Sequence, residues 1–243
     1  MTWFRNLRQD IRAAFEHPDL FLIGLVATAA MLGSQYIPRS LAAQAGSMLY
    51  SVVRTLSTAL PNQGWVKPGA HLLRGVLYLT LTLASVPLLK SRPKELGWSL
   101  GRWRTWLPDT GILLLATLPL VLWASHQPSF QHAYPYFNES RYGFAGFAMC
   151  MLVRAVYMFG WEFLFRGYLL FGFERRAGPA AAIVVSTIPF ALMHIGKPAP
   201  EVWGSIAAGL ILGILALRGR SFLPAALLHF LVATALDTLV LTI

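Results

Sequence analysis

Glu162 and Arg166 stand four residues apart in the apolar run Trp161-Glu162-Phe163-Leu164-Phe165-Arg166-Gly167. At that spacing they share one helix face and can pair. Two imidazoles occupy comparable surroundings, His194 in Phe190-Ala191-Leu192-Met193-His194 and His229 in Leu227-Leu228-His229-Phe230-Leu231. A charged side chain at membrane depth costs about 2.5–3.5 kcal/mol on insertion scales, so such residues are rare and usually functional. A buried carboxylate beside a cation can be tuned to act as a general base toward water. Neutral imidazoles polarise water or ligate zinc. The expected catalytic residues are therefore Glu162, Arg166, His194 and His229. Glu162 would be the base, and Arg166 would orient it or stabilise an oxyanion. His194 and His229 would polarise water or hold a metal. Each also has a plainer reading, an ion pair that pins helix packing and histidines that merely satisfy hydrogen bonds.

The elements that must position these groups follow from composition. The chain has 243 residues, 56% hydrophobic and 12% charged, with mean hydropathy +0.56. Soluble domains are about one-quarter charged. Lipid satisfies no backbone polar group, so only helices or a closed barrel can span it. Long apolar runs without period-2 alternation select helices. The fold class is all-α, a polytopic transmembrane bundle read as one membrane domain over residues 1–243. About seven spans are expected: 19–37, 70–89, 107–124, 143–171, 178–195, 202–217 and 222–243. Residues 41–60 are less apolar and read as an amphipathic helix near a surface, with an eighth span as the alternative. Residues 1–18 carry Arg5, Arg8 and Arg12 among Trp3, Phe4, Leu7, Ile11 and Phe15, the spacing of an amphipathic interfacial helix or of a solvated tail.

The net charge is +10. The cations crowd short loops between apolar runs: Lys90, Arg92, Lys94, Arg102 and Arg104 in one, Arg175 and Arg176 in another, Arg218 and Arg220 in a third. This is the positive-inside pattern, not a nucleic-acid footprint. It puts the N-terminus in the cytoplasm and loop 125–142 outside, in a membrane such as the bacterial cytoplasmic membrane. The N-terminus lacks the pattern of a cleaved signal. The single cysteine, Cys150, excludes an internal disulfide and a Cys-ligated zinc site, and reads as buried and inert.

Three further features flank the main residues. Asp237 lies two turns past His229 and could orient it, or sit near the membrane surface. Glu201 follows Lys197-Pro198-Ala199-Pro200 and reads as a helix-start acid. Gly209 and Gly213 form a GxxxG packing face.

Together these residues resemble the CPBP family, the CAAX-protease and bacteriocin-processing group also called Abi. Its pattern is EExxxR, then FxxxH, then HxxxN or HxxxD. Glu162 and Arg166 match the second glutamate and the arginine, Phe190 and His194 the second motif, and His229 the third. The resemblance covers residues 140–237, including Arg218, Gly219, Ser221 and Pro224. It implies an intramembrane protease with a glutamate-based site assisted by a divalent metal such as zinc, held by His194 and His229. It also implies a peptide or membrane-protein substrate met in the lipid bilayer, with no nucleic-acid partner. Two positions depart from the pattern. Trp161 stands where the family has its first glutamate, and Ala233 where Asn or Asp is expected. A local unwinding of the helix would let Glu162 take the missing role. Two alternatives stay open, a CPBP-fold scaffold or bacteriocin-immunity protein without catalysis, and a transporter. The absence of an inverted repeat counts against the transporter.

The expected span boundaries carry a tension of depth. Glu162 and His229 lie roughly ten residues from a basic loop, about 15 Å at 1.5 Å per residue. His194 lies roughly sixteen residues in, about 24 Å. A kink at Pro189 or helix tilt would have to close the gap.

Overall fold

Nearly all of the backbone is helical in the computed structural model, which describes residues 16–56 and 64–243. The expected interfacial helix at 1–18 therefore falls almost wholly outside the described residues. α1 (Pro18–Gln35) opens with proline at its first position and Asp19 in its first turn. Both suit a helix start, where one N–H is unsatisfied anyway and the dipole favours an acid. α2 is Arg39–Leu56, α3 is Val66–Ser85 and α4 is Trp103–Ser125. A short α5 (Pro128–Ala133) leads to α6 (Gly143–Glu162). A π-helical stretch, Phe163–Leu169, carries the chain into α7 (Leu170–Leu192). α8 (Ala199–Gly219) and α9 (Leu223–Thr242) complete the order.

Among the described residues, five helical segments are long and apolar enough to cross a membrane: α1, α4, the continuous stretch Gly143–Leu192, α8 and α9. The protein is an all-helical integral membrane protein. Each of the seven expected spans has its helix, with two of them merged in Gly143–Leu192. α3 falls outside the five because Lys67, His71 and Arg74 lower its hydropathy. The expected surface helix at 41–60 is real through Leu56, and it packs closely on α3. A Cβ on Gly69 would lie 2.2 Å from the Ala42 carbonyl oxygen.

The stretch 143–192 doubles back on itself. Gly178 has φ 79° and ψ 169°, a conformation essentially confined to glycine. Pro179 follows it, and a proline disfavours helical geometry in the residue before. Phe190 returns to pack against Phe165, with ring centroids 5.6 Å apart, and against Trp161 at 5.9 Å. The expected break after residue 171 is thus corrected to Gly178. Glu162 and His194 lie equally far from this turn in sequence, sixteen residues on either side. That equality removes the tension between Glu162 and His194 without any need for a kink at Pro189, and the contact of His229 with Glu162 brings His229 to the same depth.

The basic loops meet on one face of the bundle. Arg176 pairs with Asp19 at 3.0 Å, Arg175 with Glu95 at 3.2 Å, and Arg220 with Glu174 at 2.6 Å. The Arg102 N–H donates to the Gly219 carbonyl at 2.7 Å. These exposed pairs add little stability, but they fix which loops are neighbours. Loops 126–142 and 193–198 lie together at the opposite end, joined by the Lys197 ammonium donating to the Tyr134 hydroxyl at 3.0 Å.

Candidate active site

Glu162 closes α6 and the π-helical turns begin at the next residue. Such turns insert an extra residue per turn and recur at functional sites. The local unwinding expected beside Trp161 is therefore present. Phe163 and Gly167 fit it, since a Cβ on Gly167 would stand 2.4 Å from the Phe163 ring.

Glu162 is fully buried and both its oxygens face cations or donors. Oε1 lies 2.6 Å from His229 Nδ1 on α9. Oε2 lies 3.1 Å from Arg166 Nη1, within ion-pair distance although the angle is not that of a hydrogen bond. An ionised carboxylate can only accept, so the proton between Glu162 and His229 belongs to Nδ1, which leaves His229 Nε2 with a lone pair. His194 is arranged the same way. Its Nδ1 donates to the Phe190 carbonyl at 2.8 Å, and its Nε2 is the free nitrogen. The two imidazoles are 6.2 Å apart between centroids, with planes 21° from parallel.

Arg166 does not reach the cavity. It is fully buried, its guanidinium carbon sits 3.8 Å from the Phe190 ring centroid, and Nη2 donates to the Gly209 carbonyl at 3.4 Å. Arg166 thus stands beside Glu162 and away from the cavity wall. Gly209 comes this close because α8 packs on α7 through the expected glycine face. A Cβ there would lie 2.5 Å from Thr187.

A cavity of about 330 Å³ opens beside the histidines, lined by His194, His229, Trp161 and Ala233 among others. Glu162 is not part of its wall. The carboxylate therefore touches the cavity only through His229. The Trp161 indole N–H is buried and has no hydrogen-bond partner among the described residues. Its ring meets that of His194 edge-on, 5.9 Å between centroids. Trp161 thus stands in the wall of the cavity, in the place where the motif expects a carboxylate.

Asp237 takes partners other than His229. It is buried in an ion pair with Arg154 and accepts the Tyr136 backbone N–H at 3.0 Å. The reading of Asp237 as an orienting group is corrected on that ground. Glu201 lies in the first turn of α8 as expected, and it does more than complement the dipole. The Tyr134 hydroxyl donates to it at 2.7 Å and Lys197 approaches to 3.6 Å. All three line the same cavity. Burial holds the Lys197 ammonium below the usual lysine range, with Glu201 pulling the other way. Burial and the charge of Glu201 push the Tyr134 phenol well up, so it stays a donor.

Among the described residues, no three His, Cys, Asp or Glu side chains stand together to hold a metal ion. Catalytic zinc takes three protein ligands. His194 and His229 offer two ring nitrogens, and Glu162 is already engaged on both oxygens. These residues do not complete a zinc site, and no chemical step is drawn through a metal.

The comparison with known families falls on this same region. Residues 144–235 match the Rce1-like family model, described as type II CAAX prenyl endopeptidase Rce1-like. No curated protein and no solved structure matches the chain. The Rce1-like match nearly coincides with the expected motif-bearing stretch 140–237 and supports its resemblance to the CPBP family. The Rce1-like segment contains Glu162, Arg166, His194 and His229, together with Trp161 and Arg154.

Sequence reasoning missed other polar residues of the cavity, among them His71, Arg74, Arg154, Tyr136 and Tyr157. Arg74 and Arg154 carry the same signal that exposed Glu162, a charge inside an apolar run.

Proposed function

We propose that the chain is an intramembrane endopeptidase in which His229 is the general base and Glu162 its orienting carboxylate. The observation that carries this reading is the 2.6 Å contact between His229 Nδ1 and a Glu162 that has no surface on the cavity. It shifts the base from the expected Glu162 to the imidazole, the arrangement of a carboxylate–histidine pair in hydrolases generally.

The steps follow from the free nitrogens. Water in the cavity gives a proton to His229 Nε2 as its oxygen attacks the peptide carbonyl carbon. Glu162 holds the Nδ1 proton and stabilises the imidazolium, and Arg166 offsets the charge of Glu162. The His194 Nε2 lone pair accepts the second water hydrogen and aims the water. The unpartnered Trp161 N–H is the donor available to the carbonyl oxygen as it becomes negative. His229 then returns its proton to the departing amine, which completes hydrolysis. The substrate is a peptide segment of a membrane-associated protein, and the basic face of the bundle is cytoplasmic. The cavity then opens toward the non-cytoplasmic face.

A second reading, a scaffold or immunity protein on the same fold, is favoured by Trp161 and Ala233 at motif positions. One experiment separates the two. Purified protein in micelles or liposomes is given a membrane-tethered reporter peptide, and cleavage is followed for the parent, Glu162→Gln and His229→Ala. Cleavage lost in both variants supports the peptidase. A parent that cleaves nothing leaves the scaffold, and cleavage that survives both substitutions sinks the assignment of the site.

A further inference from the structure

The cavity extends away from the two histidines along a strip of rings. Trp161 meets Tyr157 at 5.5 Å between centroids, and Tyr157 meets His71 at 4.5 Å. His71 in turn meets Tyr136 at 4.7 Å. Close packing of two glycines brings this strip together. A Cβ on Gly160 would lie 2.4 Å from the Gly75 carbonyl oxygen, so α3 and α6 touch backbone to backbone. His71, Arg74 and Tyr78 on α3 thereby reach Tyr157 and Trp161 on α6.

The polar groups of this lobe are not balanced. Arg154 has Asp237 and Lys197 has Glu201. Arg74 pairs with no carboxylate of the described residues. Its Nε donates to the Ser34 carbonyl at 3.0 Å, and Ser34 is itself held by the Tyr78 hydroxyl at 2.8 Å. The guanidinium is pinned through Nε, the Tyr136 phenol engages it as well, and no carboxylate of the described residues balances its charge. His71 is 5% exposed, and its Nδ1 has no partner among the described residues. The charges of Arg74, Arg154, Lys197 and Lys67 all bear on it. An unpaired cation, an unpartnered buried ring nitrogen and an unpartnered indole N–H share one wall. Buried polar groups are normally satisfied, and a group that accepts hydrogen bonds and carries negative charge would satisfy these.

We propose that this lobe is a carboxylate-binding subsite, with the Arg74 fork as its anchor and His71 beside it. Its ligand is a carboxylate of the bound peptide, from an acidic side chain or from a chain terminus. A planar guanidinium that no carboxylate neutralises matches a carboxylate in charge and in hydrogen-bond geometry, and the ligand's oxygens would compete with Tyr136 for it. The aromatic wall excludes the water that would weaken them. The inference rests on the peptidase reading only in supposing that the ligand is a peptide.

Binding tests it without cleavage. The full chain carrying Glu162→Gln is titrated in micelles with a dansylated apolar pentapeptide in three forms. One has a free C-terminal carboxylate, one is the C-terminal amide, and one is the amide with a single internal glutamate. One charged form is expected to bind about tenfold or more tightly than the neutral amide, and which form does so names the source of the carboxylate. Arg74→Gln should erase that preference and leave affinity for the neutral amide within about twofold, while Arg74→Lys should keep part of it. If Arg74→Gln does not fold, raising salt from low to high must erode the preference in the parent. Equal affinities, no binding by any form, a preference that survives Arg74→Gln, or one that salt does not erode each overturns the subsite. A wild-type protein that binds with the preference yet never cleaves removes the peptidase reading alone.

Discussion

His229 Nδ1 lies 2.6 Å from Glu162 Oε1, on helices that are sixty-seven residues apart in sequence. On the proposed peptidase reading, this contact makes His229 the base and Glu162 the group that orients it. Glu162→Gln keeps the volume and an accepting oxygen but removes the charge that stabilises the imidazolium. The expected result is a fall in kcat of about 100- to 10,000-fold with KM nearly constant. His229→Ala should abolish turnover. Steady-state kinetics on a tethered reporter measure both. A fall confined to KM would mean that the pair binds substrate and does not move protons.

Arg166 tests the other half of the carboxylate. It is fully buried and its nearest charge is Glu162 at 3.1 Å. Removing one member of a buried pair strands the other in a medium that cannot solvate it. Arg166→Met should therefore cost about 3–5 kcal/mol of stability. The double variant Glu162→Gln with Arg166→Met should recover most of that loss. Thermal unfolding in detergent, taken as a double-mutant cycle, measures the coupling. Additive losses would mean that the two charges do not sense each other.

Asp237 shows how far the sequence could be read. Its spacing from His229 on α9 is visible in the chain, and it suggests an orienting role. The partner it takes, Arg154, lies 83 residues away on α6, and helix periodicity says nothing of such a distance. The charged anomalies themselves were legible, because lipid makes any intramembrane charge conspicuous. So was the all-helical membrane class, and each expected span falls on a helix of the described residues. The exact place of the turn inside α7 was not legible, since Phe171 to Ala177 holds both Arg175 and Arg176 and looks like a loop. The helix runs through that basic stretch to Gly178 because arginines at a membrane surface are compatible with helix. Arg74 was legible by the same rule as Glu162. Its importance was not, because the absence of a carboxylate partner is a three-dimensional fact.

Asp237→Asn should therefore act on stability and spare chemistry. The substitution leaves Arg154 buried without its charge partner, at a cost of about 3–5 kcal/mol. It also loosens the loop at Tyr136, whose N–H it holds at 3.0 Å. The expected outcome is a lower unfolding temperature with kcat unchanged below that temperature. A selective loss of kcat would restore Asp237 to the chemistry of His229.

Orientation has its own measurement. The basic loops share one face and Gln131 lies on the opposite one, both sites being exposed. On a Cys150→Ala background, Gln131→Cys should react with a membrane-impermeant maleimide in intact cells, and Lys94→Cys only after lysis. The positive-inside bias predicts that order. The reverse order would place the cavity on the cytoplasmic side and change the source of its substrate.

Gly178 sets the hairpin on which the site depends. Its φ of 79° and ψ of 169° lie where only glycine rests without strain. A Cβ there would meet nothing within 4 Å, so Gly178→Ala probes backbone conformation and no contact. The strain should cost about 1–3 kcal/mol, read as a lower unfolding temperature in detergent. Phe190 and His194 are carried by the second arm of the hairpin, whereas Glu162 and Trp161 are carried by the first. Relief of strain by reopening the turn would therefore separate His194 from His229, and kcat should fall with stability. Ala177→Gly, one residue earlier, weakens helix by about 1 kcal/mol without touching the turn. It should lower stability and leave kcat in place. If both variants lose activity in equal measure, the turn does not position the histidines, and α7 must be held in register by its packing on α8 alone.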